Sequence, residues 1–355
     1  MDITRPAASA KRFRHTDLEA WAAAIFAQRG MPPTQARSAA SLMVRSDMRG
    51  RQTHGLARLA SYVQMIDDGS FNPRPQLRHR SCDGAIAFDA DGALGHVAAP
   101  QVIALGLKAL AQRASVLVAV REIGHLGSLG IHALAAAEGG AFCLLGQRAP
   151  AVMAMPGFTR SAIGNNPLAF ACPMPHGDPL VFDMACSAAA RGHILLAARE
   201  GRTIPDDWAV DEDGVRTTDA HRALQGALLP AGGHKGIGIA MMTEVLAGAL
   251  SATADSLSRP RAQARASGGS SRVGAFFWFV NPGAFGSRAV FDACMTGWTS
   301  HFLASGSGHA RLPGERGAAL ERAARATGVE ISPATERELR ALGEKLDLPF
   351  FPLPM

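Results

Sequence analysis

The chain has 355 residues, 47% of them hydrophobic and 19% charged, with a formal net charge of +6. That length and balance exclude a disordered chain and exceed one ordinary domain, so a large core is expected. No run is apolar enough to span a bilayer, Met1–His15 lacks the apolar stretch of a secretion signal, and the scattered positive residues make no basic helix, so neither membrane nor nucleic acid is expected as a partner.

In chain order, Leu18, Trp21, Ala22 and Ile25 recur at helical spacing after the capping run His15-Thr16-Asp17. Pro32-Pro33 breaks that helix, and Thr34 can cap a second one reaching Asp47. Two glycines in Arg49-Gly50-Arg51-Gln52-Thr53-His54-Gly55 interrupt the periodicity, which resumes over Leu56–Asp67. From residue 82 the texture changes. Strands are expected at Ala85–Asp89, Val116–Val120, Ala141–Leu145, Leu168–Cys172, Leu180–Asp183 and Ala275–Val280, and helices at Ala98–Ala111, Ser128–Glu138 and Ser187–Arg199. Alternating strands and helices mean an α/β core. Ala252–Val273, rich in Ser, Arg, Ala and Gly, reads as a surface loop, and the tail from Gly317 as helical with a short strand, Val329–Ile331. Cys82, Cys143, Cys172, Cys186 and Cys294 are an odd number without a C-x-x-C pair. They read as buried thiols in a reducing, cytoplasmic setting, with no metal site.

Several stretches can carry chemistry. His54, between Thr53 and Gly55 on a kinked segment, can face a cleft as an acid/base, with the Thr53 hydroxyl orienting its ring. Arg58, one turn later, can clamp a carboxylate. Spacing alone does not lift this above the alternative of a loop histidine and a surface arginine. Gly124–Gly130 lies between a strand and a helix and suits phosphate, yet its glycines are three apart and do not make the G-x-G-x-x-G fingerprint. Asn165-Asn166-Pro167 presents amides on a turn. Asp183 ends a strand and can enter a site or cap a helix. His234-Lys235, after two glycines at a helix start, makes a second anion site, and the turn Arg311–Arg316 can touch a ribose or phosphate.

The order of these stretches resembles the type-2 malate/lactate dehydrogenases over nearly the whole chain. The matching runs are Ser46–Leu59 with Tyr62, Gly124–Gly130, Gly164–Phe170, Phe182–Ser187, Ile204-Pro205 with Trp208, Gly232–Gly236 and Pro313–Arg316. The resemblance implies a non-Rossmann NAD(P)-binding α/β core over residues 123–304. It implies a mainly helical domain from residues 1–80 plus 305–355, a connecting segment at 81–122, and a homodimer. It also implies hydride transfer between NAD or NADP and C2 of a small anionic 2-oxo or 2-hydroxy acid, with reduction of a cyclic imino acid as the alternative. By the same resemblance His54 is the proton donor, Thr53 and Asp183 its relay, Arg58 the carboxylate clamp, and His125 a rival acid/base. Cofactor contacts are implied at His125, Leu126, Gly127, Ser128, Leu129, Asn165, Asn166, Pro167, His234, Lys235, Arg311, Gly314, Glu315 and Arg316.

This sequence departs from the family at three points. Thr53 stands where Ser is common, Asn165 where Thr is usual, and Gly146–Pro150 replaces a small polar run near the substrate. The last change makes Arg148 a candidate substrate contact and leaves the substrate open. Two other classes stand against the enzyme: a catalytically silent cofactor-binding protein, and a nucleic-acid binder working through the basic stretch Pro260–Arg272.

Overall fold

The computed structural model describes residues 10–252, 273–350 and 352–354. The loop expected over Ala252–Val273, with its basic stretch Pro260–Arg272, falls almost entirely outside them. The described chain opens with β1 (Lys11–Phe13), α1 (His15–Gln28) and α2 (Pro33–Met48). Leu18, Trp21, Ala22 and Ile25 are all buried, as their spacing requires. The expected caps are not used: α1 starts at His15 without a side-chain cap, and α2 starts at Pro33 rather than after Thr34. Proline suits the first helical position because the N–H it lacks has no intrahelical partner there. Two single 3-10 turns, Gln52–His54 and Leu56–Arg58, lead into α3 (Leu59–Asp67).

The central part follows as β2 (Arg78–Cys82), β3 (Ala85–Asp89), α4 (Gly95–Leu110), β4 (Ser115–Ile123), α5 (Leu129–Glu138) and β5 (Phe142–Gln147). Next come β6 (Ala151–Met153), β7 (Ile163–Gly164), β8 (Leu168–Cys172), β9 (Leu180–Met184), α6 (Arg191–Arg199), β10 (Ala209–Val210), α7 (Ala220–Gln225) and β11 (Ala227–Leu228). α8 (His234–Thr243) runs into a π-helical stretch, Glu244–Ala249. β12 (Val273–Val280), α9 (Arg288–Ala304), α10 (Glu315–Thr327), β13 (Val329–Ile331) and α11 (Pro333–Lys345) complete the order.

Seven strands form one sheet in the order β2-β3-β4-β12-β5-β8-β9. Only β3 and β4 run parallel in it; every other neighbouring pair is antiparallel. This α/β sheet is therefore unlike the parallel, doubly wound kind, in keeping with the missing fingerprint. The sheet is continuous across residues 122–123, since β4 pairs with β12 through Ile123. Helices α4 and α5 cover one face and the π-helical stretch the other. Alternation along β12 divides its buried aromatics: Phe277 and Phe279 share one face, Phe279 lying against α4 at Gly106, while Phe276 takes the other, where it and Thr243 of α8 both crowd Gly146. A four-stranded sheet, β10-β11-β6-β7, packs with α6, α7 and α8 around a second core of Met153, Ile194, Ala197, Ala223 and Leu228.

The two ends of the chain pack together. β1 pairs with β13, the Trp21 indole N–H donates to the Leu348 carbonyl at 3.1 Å, and Arg45 and Arg49 both bind Glu321. Strand β2 was not expected, because all five of its residues are exposed and carry no alternation; only its ladder to β3 makes it a strand. The helix expected from Ser187 begins at Arg191, since Ser187 instead bridges Pro230. Three cysteines are buried as expected, but Cys82 and Cys294 are exposed. Among the described residues no helix is long and apolar enough to cross a membrane.

Candidate active site

The kinked segment after α2 is held by a buried carboxylate. Asp47 accepts a hydrogen bond from the Leu56 N–H at 2.8 Å, tying the helix end to the second 3-10 turn. Burial pushes its carboxyl up to about 8. The first 3-10 turn presents His54, partly exposed, with Thr53 Oγ1 3.0 Å from its Nδ1. Arg58 is exposed one turn on, and among the described residues it makes no salt bridge.

The segment from Gly124 to Ser128 faces this turn. Its backbone is clamped by Gln147, whose amide accepts from the Leu126 N–H at 3.0 Å and donates to the Gly124 carbonyl at 2.9 Å. His132 on α5 adds a bond from Nε2 to the Leu126 carbonyl at 2.8 Å. So held, His125 brings its ring to 5.9 Å from that of His54. Its Nδ1 lies 2.7 Å from the hydroxyl of Tyr62, the only tyrosine in the chain.

Burial raises the Tyr62 hydroxyl further above its ordinary range, so it keeps its proton. Arg58, which interacts with the same hydroxyl, has only donors to offer. A protonated tyrosine hydroxyl that donates to His125 Nδ1 leaves the ring N–H of His125 on Nε2. Burial, then Arg58, then His54 and His132, push His125 down to about 3, so the ring is neutral. His54 is lowered too, by burial first, but the negative charge of Asp183 works to raise it against Arg58 and Arg51.

Asp183 sits near the end of β9 and caps a helix other than the one that follows it. Its Oδ2 accepts from Ser128 Oγ at 2.8 Å and from the Gly130 N–H at 2.9 Å, at the start of α5. β9 and its exit also gather the remaining stretches. The Val181 N–H donates to the Pro313 carbonyl at 2.9 Å, which docks the turn of Arg311, Gly314, Glu315 and Arg316 on this strand. The Cys186 N–H donates to the Asn165 carbonyl and the Cys186 carbonyl accepts from Ala231, both at 2.8 Å. Through these bonds Asn165-Asn166-Pro167 and the exposed pair His234-Lys235 at the start of α8 border the same edge.

Two expected residues are drawn elsewhere. The Asn166 side chain is buried, accepting from the Ala149 N–H at 2.8 Å and donating to the Ala240 carbonyl at 2.9 Å. Arg148 does not join His54 and Arg58. Gln147 ends β5 and Arg148 is the next residue, its N–H still bonded to the Gly274 carbonyl, so the two side chains leave opposite faces of the sheet. Gln147 goes to the histidine side, and Arg148 Nε pairs with Glu244 Oε1 at 2.7 Å on the α8 side. Sequence reasoning missed the supporting groups Gln147, Tyr62, His96 and His132. The isolated tyrosine inside a matched run was the one available signal; Gln147 and His132 act on backbone atoms distant in sequence, and His96 makes ring contacts alone.

Residues 13–340 match the sequence profile of the family described as Malate/L-lactate dehydrogenase. The chain is 35% identical over 326 residues to a Delta(1)-pyrroline-2-carboxylate reductase of Ancylobacter novellus, spanning 89% of this chain and 93% of that protein. It is 30% identical over 336 residues to a (2R)-3-sulfolactate dehydrogenase (NADP(+)) of Chromohalobacter salexigens, spanning 92% and 96%. Its fold matches the crystal structure of delta1-piperideine-2-carboxylate reductase from Pseudomonas syringae pathovar tomato with a TM-score of 0.83 at 26% identity, over 94% of this chain and 99% of that one.

Proposed function

This chain belongs to the malate/L-lactate dehydrogenase family, and on that premise we propose that it transfers a hydride between NAD or NADP and C2 of a small 2-oxo or 2-hydroxy acid. The observation that carries the reading is the pair His54 and His125, rings 5.9 Å apart, beside an arginine with no carboxylate partner among the described residues.

The residues along β9 fit the cofactor. α8 starts behind Gly232 and Gly233, both at positive φ, with Lys235 exposed beside them, a cradle and a cation suited to a pyrophosphate. Ser128, Asn165, His234, Lys235 and the turn Arg311–Arg316 would hold it, with Leu126, Gly127, Leu129, Asn166 and Pro167 shaping the walls. A nicotinamide cofactor held by these residues would supply or take up the hydride.

The chain's own residues do the rest. Arg58 grips the substrate carboxylate through paired N–H donors. His54 gives a proton to the developing alkoxide, or takes one from the alcohol, with Thr53 steadying Nδ1 and Asp183 favouring the charged ring. His125 stays neutral and presents Nε2–H as a fixed donor toward the reacting oxygen. General acid catalysis of this kind contributes roughly 10²–10⁴-fold.

A second reading, reduction of a cyclic imino acid, is favoured by the name carried by the relative of 35% identity. The same residues serve it, His54 protonating the imine or amine nitrogen. One experiment separates the readings: NAD(P)H absorbance followed with 2-oxo acids and Δ1-imino acids in parallel, with each cofactor. Turnover of a 2-oxo acid is the expected result; preference for the imino acid favours the second reading, and cofactor binding without any turnover overturns both.

We also propose a cytoplasmic homodimer, with residues 123–304 carrying the cofactor and 1–80 plus 305–355 the helical unit. Only Thr299 of α9 is buried, while Val290, Trp298 and Phe302 on that helix, with Met241 and Val245 on the α8 side, stand exposed. A second copy would cover such a face, and sedimentation of the protein at two concentrations tests it.

A further inference from the structure

His96, at the start of α4, is the most conspicuous polar group that the reaction does not use. Its ring is fully buried, and neither nitrogen has a hydrogen-bond partner. An unpaired buried polar atom is a burden that an apolar side chain of similar size avoids. The ring nevertheless touches both halves of the site. On one side it lies under Gly127, which takes φ +70°; a Cβ there would fall 2.7 Å from His96 Cε1 and Nε2, and 3.6 Å from the His54 carbonyl oxygen. Gly127 thus leaves no room for a side chain beside the His96 ring and the His54 carbonyl. On the other side the ring is 5.7 Å from that of Tyr62, whose hydroxyl holds His125. His132 stands edge-on at 5.8 Å, with its own Nδ1 unpartnered.

We propose that His96 is a positioning residue for this reaction, fixing the spacing between His54 and His125 through Gly127 and Tyr62. The proposal rests on the reading of those two histidines as the reacting pair. The groups that face His96 are Tyr62 from α3, His132 from α5, His125 from the glycine loop and His54 from the first 3-10 turn. All of them bear on the proton held at the site, so a change at His96 alters the pH profile as well as the rate. Burial holds His96 itself neutral, well below the ordinary histidine range.

The test is His96→Leu beside the more conservative His96→Gln, with wild type and His54→Ala as references. In the Leu variant the melting temperature should hold or rise, cofactor affinity and KM should stay within about twofold, and kcat should fall between about 10-fold and 100-fold, as for a misplaced reacting group. The acid limb of kcat should move, and His96→Gln should restore part of the rate. Full kcat in His96→Leu overturns the proposal. So does a fall in melting temperature with kcat and KM worsening together, which marks an ordinary core residue. Loss of the catalytic reading has a different signature, full turnover in His54→Ala, and is thereby told apart.

Discussion

The two faces of the seven-stranded sheet treat polar groups in opposite ways. On the α4–α5 face, His96 and His132 are fully buried, and the glycine loop is pinned by two side chains, Gln147 and His132. On the α8 face, the ion pair of Arg148 and Glu244 keeps about a quarter of each side chain in solvent, and Met241, Val245 and Trp278 are left outside. The first face gives up stability to hold a few atoms still. The second leaves apolar surface open and imposes little order on its charges. The difference bears on the proposed chemistry: proton transfer needs fixed distances, and the pinned glycine loop on the first face provides them for His125.

The largest break in this contrast is His54→Ala. Turnover should fall by about 10²–10⁴-fold with cofactor affinity nearly intact, and a variant that keeps full kcat would remove the proton-transfer assignment. Next is Arg58→Lys, which keeps the charge but loses the paired donors. Its KM should rise by about 10-fold or more with kcat changed less, as steady-state kinetics will read.

Third is the response to acid. His96, His125 and His132 are neutral when folded and take up protons when unfolded, so their contribution is present above an unfolded value near 6.5 and is lost as pH falls. Asp47 works in the opposite sense, because its raised carboxyl keeps its proton in the fold and loses that advantage as pH rises toward 8. The histidines outnumber it, so between about pH 6 and 4.5 stability should drop by on the order of 2 kcal/mol per pH unit. His96→Leu should remove about 1.4 kcal/mol per unit of that slope, which urea midpoints across this range will measure. A flat acid limb in wild type would mean these rings are not neutral in the fold.

The smallest effect belongs to the other face. Arg148→Ala breaks a part-exposed pair, of the kind that contributes about 0–1 kcal/mol, and should leave KM within about threefold. A tenfold rise would put that guanidinium on the substrate after all.

Much of this was legible before the structure. Strands β3, β8 and β13 run over the expected residues, because their apolar runs are bounded by turn residues and fully accounted for by local pattern. The run from Arg49 to Arg58 announced an interrupted helix carrying a histidine and an arginine. What was not legible depends on pairs distant in sequence. Asp183 caps α5 across more than fifty residues, and Gln147 clamps a loop twenty-one residues away from it. Arg148 was a candidate because the resemblance puts its segment near the substrate, yet one step beyond Gln147 its side chain turns to the far face, where it pairs with Glu244.

The position of β12 carries a consequence in time. This strand lies between β4 and β5, pairing with both along nearly its whole length, although 125 residues separate the end of β5 from its first residue. During synthesis, the edges of β4 and β5 are exposed long before the strand that seals them has left the ribosome. The sheet then closes in a late step over a long loop, the kind of contact that slows folding and leaves strand edges open to wrong partners. The order of manufacture, from first residue to last, therefore differs from the order in space: the last of these three strands to be made is the one that lies in the middle.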